Sequence, residues 1–418
     1  MKVVHINKSD LTGGAAVAAS RIITALRQHN VDASMLVAEK KSKHDWVTSI
    51  IRSKKDNAKL VFYFLQDILA FLPYEKNKRG RFAFSLSRKG FDLSNHPLVR
   101  DADIIHLHWF NQGFLSLKGL QALINTGKPI VWTLHDMWSF TGGCHYTAQC
   151  DHYTNSCGNC PMLLESSAKD LSFAQHEKKM SIYDNGSLSF ATCSNWLKQK
   201  AQNATLIKQF PIHCIHNPID TNQFKPKPRI EARRELGLPL DKKIILFGAA
   251  NTSDPRKGMP LLLHALNELK DKSYNKHIEL VIFGKTTSGI EEKLPFSTTL
   301  MHYINKPELL INLYNAADLF VLPSLEDNLP NTVMESLSCG TPVAAFRIGG
   351  VPEMVAHGTC GYLAPAGDAK GLAEGIDFLL SGSNQDYFRQ EARQRVIENF
   401  SPDLIAGQYL ELYESLLP

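Results

Sequence analysis

The strongest local signal in the sequence is the stretch Pro323-Ser324-Leu325-Glu326-Asp327-Asn328-Leu329-Pro330-Asn331-Thr332-Val333-Met334-Glu335. The apolar run before it is typical of a buried strand, and the pattern then predicts a polar loop and a helix that begins at Pro330 or Asn331. The free N–H groups of a helix start suit an anionic or polyhydroxylated ligand. Asp327 lies before the helix and Glu335 about two turns inside it, so both acids can reach hydroxyls of one ligand. The plainer interpretation is a helix cap and an acid on the helix surface.

The same order of apolar run, loop and helix recurs along the chain. Apolar runs separated by helix-length segments occupy 3–7, 33–38, 104–108, 130–135, 189–194 and 212–216, and the pattern restarts at 243–247. The proline-rich polar stretch 217–228 between the two halves looks like a linker. This alternation predicts an α/β fold with two Rossmann-like domains facing across a cleft, and a ligand outside the carboxyl ends of the strands.

The expected first domain spans 1–218, with a basic and aromatic insertion at 40–90 and a cysteine cluster at 144–160. The expected second domain spans 219–400. The last segment, 401–418, has the pattern of an amphipathic helix that must bury its apolar face. We expect this helix to pack back on the first domain.

The composition is that of a globular protein, with 44% hydrophobic and 21% charged residues in a chain of 418. The net charge of +5 is uneven, because segment 40–90 holds 13 Lys or Arg against 4 Asp or Glu. Such a local patch differs from the diffuse basicity of a protein that coats nucleic acid, so we expect no nucleic-acid partner. Cations beside an apolar helix favour an anionic membrane surface. The alternative is a solvated helical insertion whose aromatic face is core.

The chain opens on Met1-Lys2-Val3-Val4-His5-Ile6-Asn7, which is typical of a first strand and not of a secretory signal. The longest apolar stretch, 60–72, contains Gln66 and Asp67. It is shorter than the roughly 20 residues that cross a bilayer. We therefore expect a cytoplasmic protein, held peripherally on the cytoplasmic face of the inner membrane where the basic segment binds lipid.

Eight cysteines in a chain of this kind are expected to be reduced thiols or metal ligands. Cys144, Cys150, Cys157 and Cys160 fall within 17 residues, and the spacing of the last two is a common chelating pattern. Four thiolates fit a structural Zn²⁺ that pins the loop after His135. Free thiols and an iron–sulfur cluster are the alternatives.

The segment Met334-Glu335-Ser336-Leu337-Ser338-Cys339-Gly340-Thr341-Pro342-Val343-Ala344-Ala345 resembles the signature of glycosyltransferase family 4. The resemblance implies the GT-B fold and retention of anomeric configuration. The family has two Glu separated by seven residues, and this register gives Asp327 and Glu335, with Asn328-Leu329-Pro330 in place of Gly-Phe-Pro. It implies that Asp327 touches the transferred sugar and Glu335 the nucleotide ribose. Glu326, one residue out of register, is the alternative first acid.

Other positions agree with this resemblance. Gly13-Gly14 match a family pair at which bare backbone meets the donor phosphate or the acceptor. Arg256 and Lys257 resemble the family's diphosphate-binding loop, although Ala249 stands where the family usually has an arginine. His135 takes the place of a histidine that faces the donor sugar. The donor site is implied to include the residues that lead into the helix, which are Asn328, Leu329, Pro330 and Asn331.

The resemblance thus implies a retaining glycosyltransferase that moves a hexose-type sugar from a nucleotide-diphosphate sugar to a saccharide acceptor. The implied acceptor is lipid-linked, in bacterial lipopolysaccharide, capsule or exopolysaccharide synthesis. Cations at the diphosphate offset the charge on the leaving group, so no cofactor is implied for catalysis. His135, Asp327 and Glu335 are the implied catalytic-site residues. The alternatives are a nucleotide-sugar 2-epimerase of the same fold, and a zinc protein that binds nucleic acid through the cysteine cluster and the basic patch.

Overall fold

The computed structural model describes residues 1–417 apart from 79, 185, 271, 273–274, 287–288, 303, 305 and 382–383. One cation of the basic segment, Arg79, therefore lies outside the described residues. The chain divides into two compact units, the first made of Met1–Asn217 with Ile405–Pro418 and the second of Pro218–Leu404. Each unit contains one parallel sheet flanked by helices, which confirms the predicted α/β class.

The first unit is built on a seven-stranded sheet in which all described strand pairs are parallel. Its strands are β1 (Lys2–Ile6), β2 (Asp32–Val37), β3 (Val47–Ser49), β4 (Ile104–Leu107), β5 (Ile130–Leu134), β6 (Leu188–Thr192) and β7 (Ile212–Cys214). Their order in the sheet is β3-β2-β1-β4-β5-β6-β7. The order reverses between β1 and β4, and doubly wound sheets bind ligands at such a switch point.

Six helices of the first unit flank this sheet or extend from it. They are α1 (Gly14–Gln28), α2 (Lys54–Phe71), α3 (Pro97–Asp101), α4 (Leu117–Ile124), α5 (Leu171–Tyr183) and α6 (Asn195–Gln202). Successive strand residues enter opposite core clusters, since Val3 and Ile104 lie in one cluster and Val4 and Ile105 in the other. Both faces of the sheet are therefore buried, which explains why its strands are continuously apolar.

The second unit repeats the design with a six-stranded parallel sheet in the order β10-β9-β8-β11-β12-β13. Its strands are β8 (Lys243–Asn251), β9 (Ile278–Lys285), β10 (Ser297–Leu300), β11 (Leu319–Leu322), β12 (Val343–Phe346) and β13 (Gly361–Ala364). Its helices are α7 (Arg229–Leu236), α8 (Met259–Glu268), α9 (Pro307–Ala316), α10 (Asn331–Ser338), α11 (Val351–Met354), α12 (Ala369–Ser381) and α13 (Gln385–Phe400). The central strands β8, β11 and β12 are neighbours, so the loops at their carboxyl ends meet.

The last helix, α14 (Pro402–Glu414), belongs to the first unit from Ile405 onward. Ile405, Tyr409 and Tyr413 are fully buried in the same cluster as Ile22 of α1. The predicted return of the C-terminal helix to the first unit is therefore confirmed. Among the described residues, no helix is both long enough and apolar enough to span a bilayer.

Candidate functional site

Three loops converge at the carboxyl ends of β8, β11 and β12, and two glycines make their contact possible. Gly258 has φ +70°, and a Cβ on it would lie 1.8 Å from the Pro323 carbonyl oxygen. Gly349 has φ +48°, and a Cβ there would lie 1.7 Å from the Asp327 carbonyl oxygen. Any side chain at either position would push away the acidic loop, which follows β11 and carries Glu326 and Asp327. The two glycines therefore allow Asp327 to lie where it does.

Backbone hydrogen bonds fix the same three loops to one another. The Leu325 N–H donates to the Arg256 carbonyl at 2.7 Å, and the Gly350 N–H donates to the Asn328 carbonyl at 2.8 Å. Asn328 and Leu329 are buried, and Glu326 is partly exposed. The acidic loop is therefore held from both sides before any ligand arrives.

The structure brings two of the predicted site residues into direct contact. Lys257 Nζ lies 2.6 Å from Asp327 Oδ2, with 28% and 14% of the two side chains exposed. Because both side chains keep some contact with solvent, an anionic ligand can reach Lys257 and replace Asp327 as its partner.

Glu335 lies inside α10, where Asn331 is the first helical residue and Pro330 the residue before it. Only 6% of Glu335 is exposed, and its Oε2 accepts a hydrogen bond of 3.0 Å from the Tyr314 hydroxyl. Tyr314 is itself fully buried on α9. The carboxylate is thus held in one orientation by a neighbouring helix, which the plainer interpretation of a surface acid does not explain.

Arg256, the second predicted cation, is held by an acid of its own loop. Its Nη2 lies 2.7 Å from Asp254 Oδ2, and 47% of its side chain is exposed. Burial pushes the pKa of Asp254 up, but hydrogen bonds and charge from Arg256 outweigh this and leave that pKa below its ordinary value. Asp254 therefore partly neutralises the charge of Arg256, the residue next to Lys257.

In the first unit, Gly14 is the first residue of helix α1 and Gly13 lies directly before it. Gly13 precedes the helix with φ +91°, and a Cβ added to it would meet no atom within 4 Å. Glycine is thus favoured there by backbone conformation and not by crowding, and the space before the helix is open among the described residues. This geometry is consistent with close approach of a ligand to bare backbone.

His135 follows the end of β5 and is partly buried. Its Nε2 lies 3.0 Å from His108 Nδ1, and its Nδ1 lies 3.6 Å from the Cys193 sulfur. Burial lowers the pKa of His135 to about 4, against a smaller opposite effect of Asp136. The imidazole is therefore neutral at pH 7.

Sequence reasoning missed a buried histidine cluster next to His135. His5 of β1 pairs in register with His106 of β4, and the His106 and His108 rings stack with centroids 4.3 Å apart. His106 also contacts the Tyr413 hydroxyl at 2.6 Å and Thr133 Oγ1 at 2.7 Å. The signal that could have found this cluster is the pair His106 and His108, two residues apart, one on a buried strand and one directly after it.

A second missed arrangement links Ser85, His145 and Asp136. Ser85 Oγ lies 2.8 Å from His145 Nε2, and His145 Nδ1 lies 2.7 Å from Asp136 Oδ2. The Trp109 indole donates to the same carboxylate oxygen at 3.0 Å. Asp136 and His145 therefore fix the loop that follows β5.

The four clustered cysteines line one cavity together with His152. Yet in the part of the chain that the structure describes, their sulfur atoms are not among the groups of three ligand atoms that all lie within 4.8 Å of one another. Burial raises the pKa of Cys157 to about 12. Since tetrahedral zinc needs converging thiolates, the present arrangement does not fit the ion, and the zinc site stays a prediction.

Segment 40–90 contributes helix α2, which has two different apolar faces. Leu60 and Phe71 are buried against the first unit, whereas Phe62 is 56% and Leu69 62% exposed. The exposed apolar positions follow a helical spacing, and they are Val61, Phe62, Leu65, Leu69 and Leu72. The helix therefore has both a core face and an exposed apolar stripe, as either interpretation of the segment allows.

The fold and the loop chemistry of the second unit define a protein of the GT-B class. The family model described as "Glycosyltransferase Family 4" matches residues 12–223, and that described as "Glycosyl transferases group 1" matches residues 228–399. The chain therefore belongs to glycosyltransferase family 4.

Known proteins show how far this similarity extends. The chain is 32% identical over 211 residues to a D-inositol 3-phosphate glycosyltransferase of Corynebacterium urealyticum, covering 47% of this chain and 49% of that protein. The chain spans about half the length of the first curated relatives that it matches.

Two solved structures share the fold across nearly the whole chain. Anabaena HepE in complex with UDP matches with a TM-score of 0.63 and 16% identity, covering 99% of this chain and 100% of HepE. WaaG, a glycosyltransferase involved in lipopolysaccharide biosynthesis, matches with a TM-score of 0.63 and 14% identity, covering 98% and 99%. At these identities the likeness concerns the fold.

Proposed function

We propose that this protein is a retaining glycosyltransferase that moves a hexose-type sugar from a nucleotide-diphosphate sugar to a saccharide acceptor. The observation that carries the proposal is the ion pair of Lys257 and Asp327, 2.6 Å apart on loops at the carboxyl ends of neighbouring strands. It joins a cation suited to a diphosphate with an acid suited to sugar hydroxyls. The UDP complex of HepE, which shares the fold, supports a nucleotide ligand.

In this proposal the ion pair is the resting state of the donor site. A diphosphate has a larger negative charge than a carboxylate and takes over the Lys257 ammonium, since charge-assisted hydrogen bonds to phosphate are strong. Asp327 is then released to accept hydrogen bonds from the transferred sugar. Lys257 stabilises the charge that grows on the leaving diphosphate, which is the main catalytic contribution of such a group.

Glu335 is held more firmly than Asp327, the other acid of the proposed donor site. The Tyr314 hydroxyl holds its Oε2 at 3.0 Å, and the carboxylate can also accept from the ribose hydroxyls of the donor. Because the carboxylate is already desolvated and oriented, ribose binding costs little ordering of the side chain. His135 contributes a neutral hydrogen-bonding group to the sugar, and a neutral imidazole does not repel positive charge at the anomeric carbon.

Transfer with retention needs no protein nucleophile in this account. The bond from the anomeric carbon to the diphosphate oxygen breaks, and the acceptor oxygen bonds to the same face of the sugar. The leaving diphosphate takes the acceptor's proton. Asp327 and Glu335 therefore bind and position the donor, unlike the carboxylate pair of a glycosidase, and no cofactor is needed beyond the donor.

We further propose a lipid-linked acceptor of bacterial surface-polysaccharide synthesis and a peripheral place on the cytoplasmic face of the inner membrane. The exposed stripe of α2 and the exposed Lys54, Lys55 and Lys59 support this, because cations near an anionic surface contribute about 1 kcal/mol each. Inserting an exposed Phe or Leu adds about 1.5–3 kcal/mol. WaaG, of the same fold, acts in lipopolysaccharide biosynthesis.

The proposed transfer is tested by a thermal-shift screen of nucleotide sugars followed by product analysis. A donor that binds only the native state raises the Tm, and NMR of the product shows whether the anomeric configuration of the donor is kept. An inverted product would contradict the retaining mechanism. A sugar that is altered without any acceptor would point to the epimerase alternative.

The membrane proposal is tested by co-sedimentation with neutral and anionic vesicles. We expect binding to anionic vesicles that falls at high salt and falls further in the variant Phe62→Ser with Leu69→Ser. A matched control is Ile230→Ser, which removes an apolar side chain 54% exposed in the second unit. Equal binding of all variants, or equal binding to neutral vesicles, would reject the anchor.

A further inference from the structure

Three histidines of the first unit form a continuous hydrogen-bonded chain that ends at His135. His5 Nδ1 lies 3.0 Å from His108 Nε2, and His108 Nδ1 lies 3.0 Å from His135 Nε2. His5 is fully buried and His108 is 2% exposed. Neither has a part in the proposed transfer, although burying two imidazoles beside a third is costly unless their nitrogens are paired.

A neutral imidazole has one donor and one acceptor nitrogen, so this chain admits only two arrangements of protons. In the first, each Nδ1–H donates toward His135. In the second, His135 donates from Nε2 to His108, and His108 donates from Nε2 to His5. The groups at the two ends of the chain decide between them.

At the far end, His5 Nε2 is buried without a hydrogen-bond partner among the described residues. The second arrangement would place a proton on this atom and bury an N–H group with no acceptor. Orphaned buried N–H groups are rarer in proteins than orphaned acceptors. The first arrangement leaves a lone pair there instead, so it is favoured.

At the near end, Cys193 gives the same answer. Its thiol donates to the Leu134 carbonyl at 3.4 Å, which leaves the sulfur to accept from His135 Nδ1 at 3.6 Å. Cys193 is itself buried, so this contact belongs to the folded first unit and is present without substrate. His135 Nδ1 thus carries the proton in the first arrangement, in agreement with the other end.

A metal ion is the competing explanation, because the ligand atoms of His5, His106 and His108 lie within 4.8 Å of one another. However, the His106 and His108 rings stack with an interplanar angle of 20°. Imidazole lone pairs lie in the ring plane, so stacked rings cannot direct both at one ion. His106 also contacts Tyr413 and Thr133 through its two nitrogens, and this packs its ring firmly against His108.

We propose that His108 is a positioning residue for the transfer reaction. It donates its Nδ1–H to His135 Nε2 and so fixes His135 as the Nδ1–H tautomer and holds its ring in one orientation for the transferred sugar. His5 holds His108 in the required tautomer by donating to its Nε2. This inference rests on the proposed function for the role of His135, but the tautomer itself is a property of the protein without substrate.

The test is ¹⁵N NMR of the histidine rings in the full chain without donor. We expect His135 to show a protonated Nδ1 and an unprotonated Nε2. A protonated Nε2 in the wild type would overturn the proposal, and this measurement needs no variant. His108→Leu should abolish the fixed tautomer of His135, whereas His108→Asn, whose amide can donate from a similar position, should retain it.

Steady-state kinetics test whether the positioning of His135 affects the rate of transfer. We expect His108→Leu to lower kcat about tenfold, about 1.4 kcal/mol, with His108→Asn recovering most of that loss. The matched control is His176→Gln, since His176 is another fully buried histidine of the first unit, bonded at 3.0 Å to Thr205. Equal losses for His108→Leu, His108→Asn and His176→Gln would overturn the positioning role. A correct tautomer in a protein that binds no nucleotide sugar would overturn the proposed function instead.

Discussion

The second unit has two charged loops, one with Arg256 and Lys257 and one with Glu326 and Asp327, and the first unit has a buried histidine cluster. These two regions are suited to different ligands. Lys257 and Asp327 are partly exposed ions that hold each other, so a charged ligand can exchange with either one. His5 and His108 are neutral and buried, and their hydrogen bonds are fixed before any ligand arrives. Exchange of ionic partners suits a ligand that brings its own charge. A fixed neutral tautomer suits a ligand that brings only hydroxyl oxygens.

The largest effect in this comparison is expected at Glu335, a buried acid on the helix that follows the loop of Asp327. Glu335→Gln should weaken nucleotide affinity about 10-fold to 100-fold, because a hydrogen bond to a charged group contributes about 1.5–3 kcal/mol. Calorimetric titration measures it. Glu279→Gln is the matched control, as Glu279 is also buried in the second unit and pairs with Lys242 at 2.8 Å. Equal weakening in both variants would contradict the ribose role.

A smaller effect is expected at Lys257, whose ion pair with Asp327 is partly exposed. Lys257→Ala should lower kcat/KM at least about tenfold, or about 1.4 kcal/mol, through lost stabilisation of the leaving diphosphate. Lys272→Ala removes a comparable lysine of the second unit, paired with Asp377 at 2.5 Å, and should leave kcat/KM unchanged. Steady-state assays at subsaturating donor compare the two. A similar loss in both would show a general charge effect.

A third test decides whether Asp327 or Glu326 contacts the transferred sugar. Asp327→Asn should lower kcat more than Glu326→Gln, because Asp327 is the acid that contacts Lys257. We expect a difference of several-fold, about 1 kcal/mol, typical of one hydrogen bond. A larger loss for Glu326→Gln would show that the acids are in the other register.

The smallest expected difference between the two units is in how their stability changes as the pH falls. Burial lowers the pKa of His5 to about 3 and of His135 to about 4, while an unfolded histidine titrates near about 6.5. The unfolded chain therefore gains protons first, and the first unit loses stability as pH falls from about 6.5 to 4. In the second unit the pKa of Asp254 lies below its ordinary value, so its contribution is lost only at lower pH.

Tryptophan fluorescence separates the two units in this test. All five tryptophans lie in the first unit, at positions 46, 109, 132, 138 and 196. Their emission should shift to the red between pH 6.5 and 4 at a moderate urea concentration. A transition that begins only below pH 4 would contradict the account of the neutral histidine cluster.

The sequence predicted the charged loops better than the histidine cluster, and strand order explains why. Asp327 and Glu335 lie on one loop and the helix that follows it, so local spacing predicts that they are close, whereas their proposed roles come from the family resemblance. The contact of Lys257 with Asp327 requires that β8 and β11 be neighbours, although β9 and β10 come between them in the chain. The histidines come from β1, β4 and the end of β5, and the sequence does not specify that these three strands are adjacent.

Two other features show the same limit. Cysteine spacing suggests a metal site, but the separation of the sulfur atoms depends on loop conformation, and no three of the four described sulfur atoms all lie within 4.8 Å of one another. Helix α2 has apolar residues on both sides, so its pattern could not tell that Leu60 is buried and Phe62 exposed. In each case the feature depends on tertiary structure, which the sequence pattern does not specify.

The central claim is that the charged loops of the second unit bind a nucleotide diphosphate through Lys257. Calorimetric titration of the wild type and Lys257→Ala with nucleoside diphosphates and monophosphates of the same base tests it most directly. We predict that the wild type prefers the diphosphate and that Lys257→Ala loses most of this preference while monophosphate affinity is unchanged. The same preference in both proteins would contradict the claim.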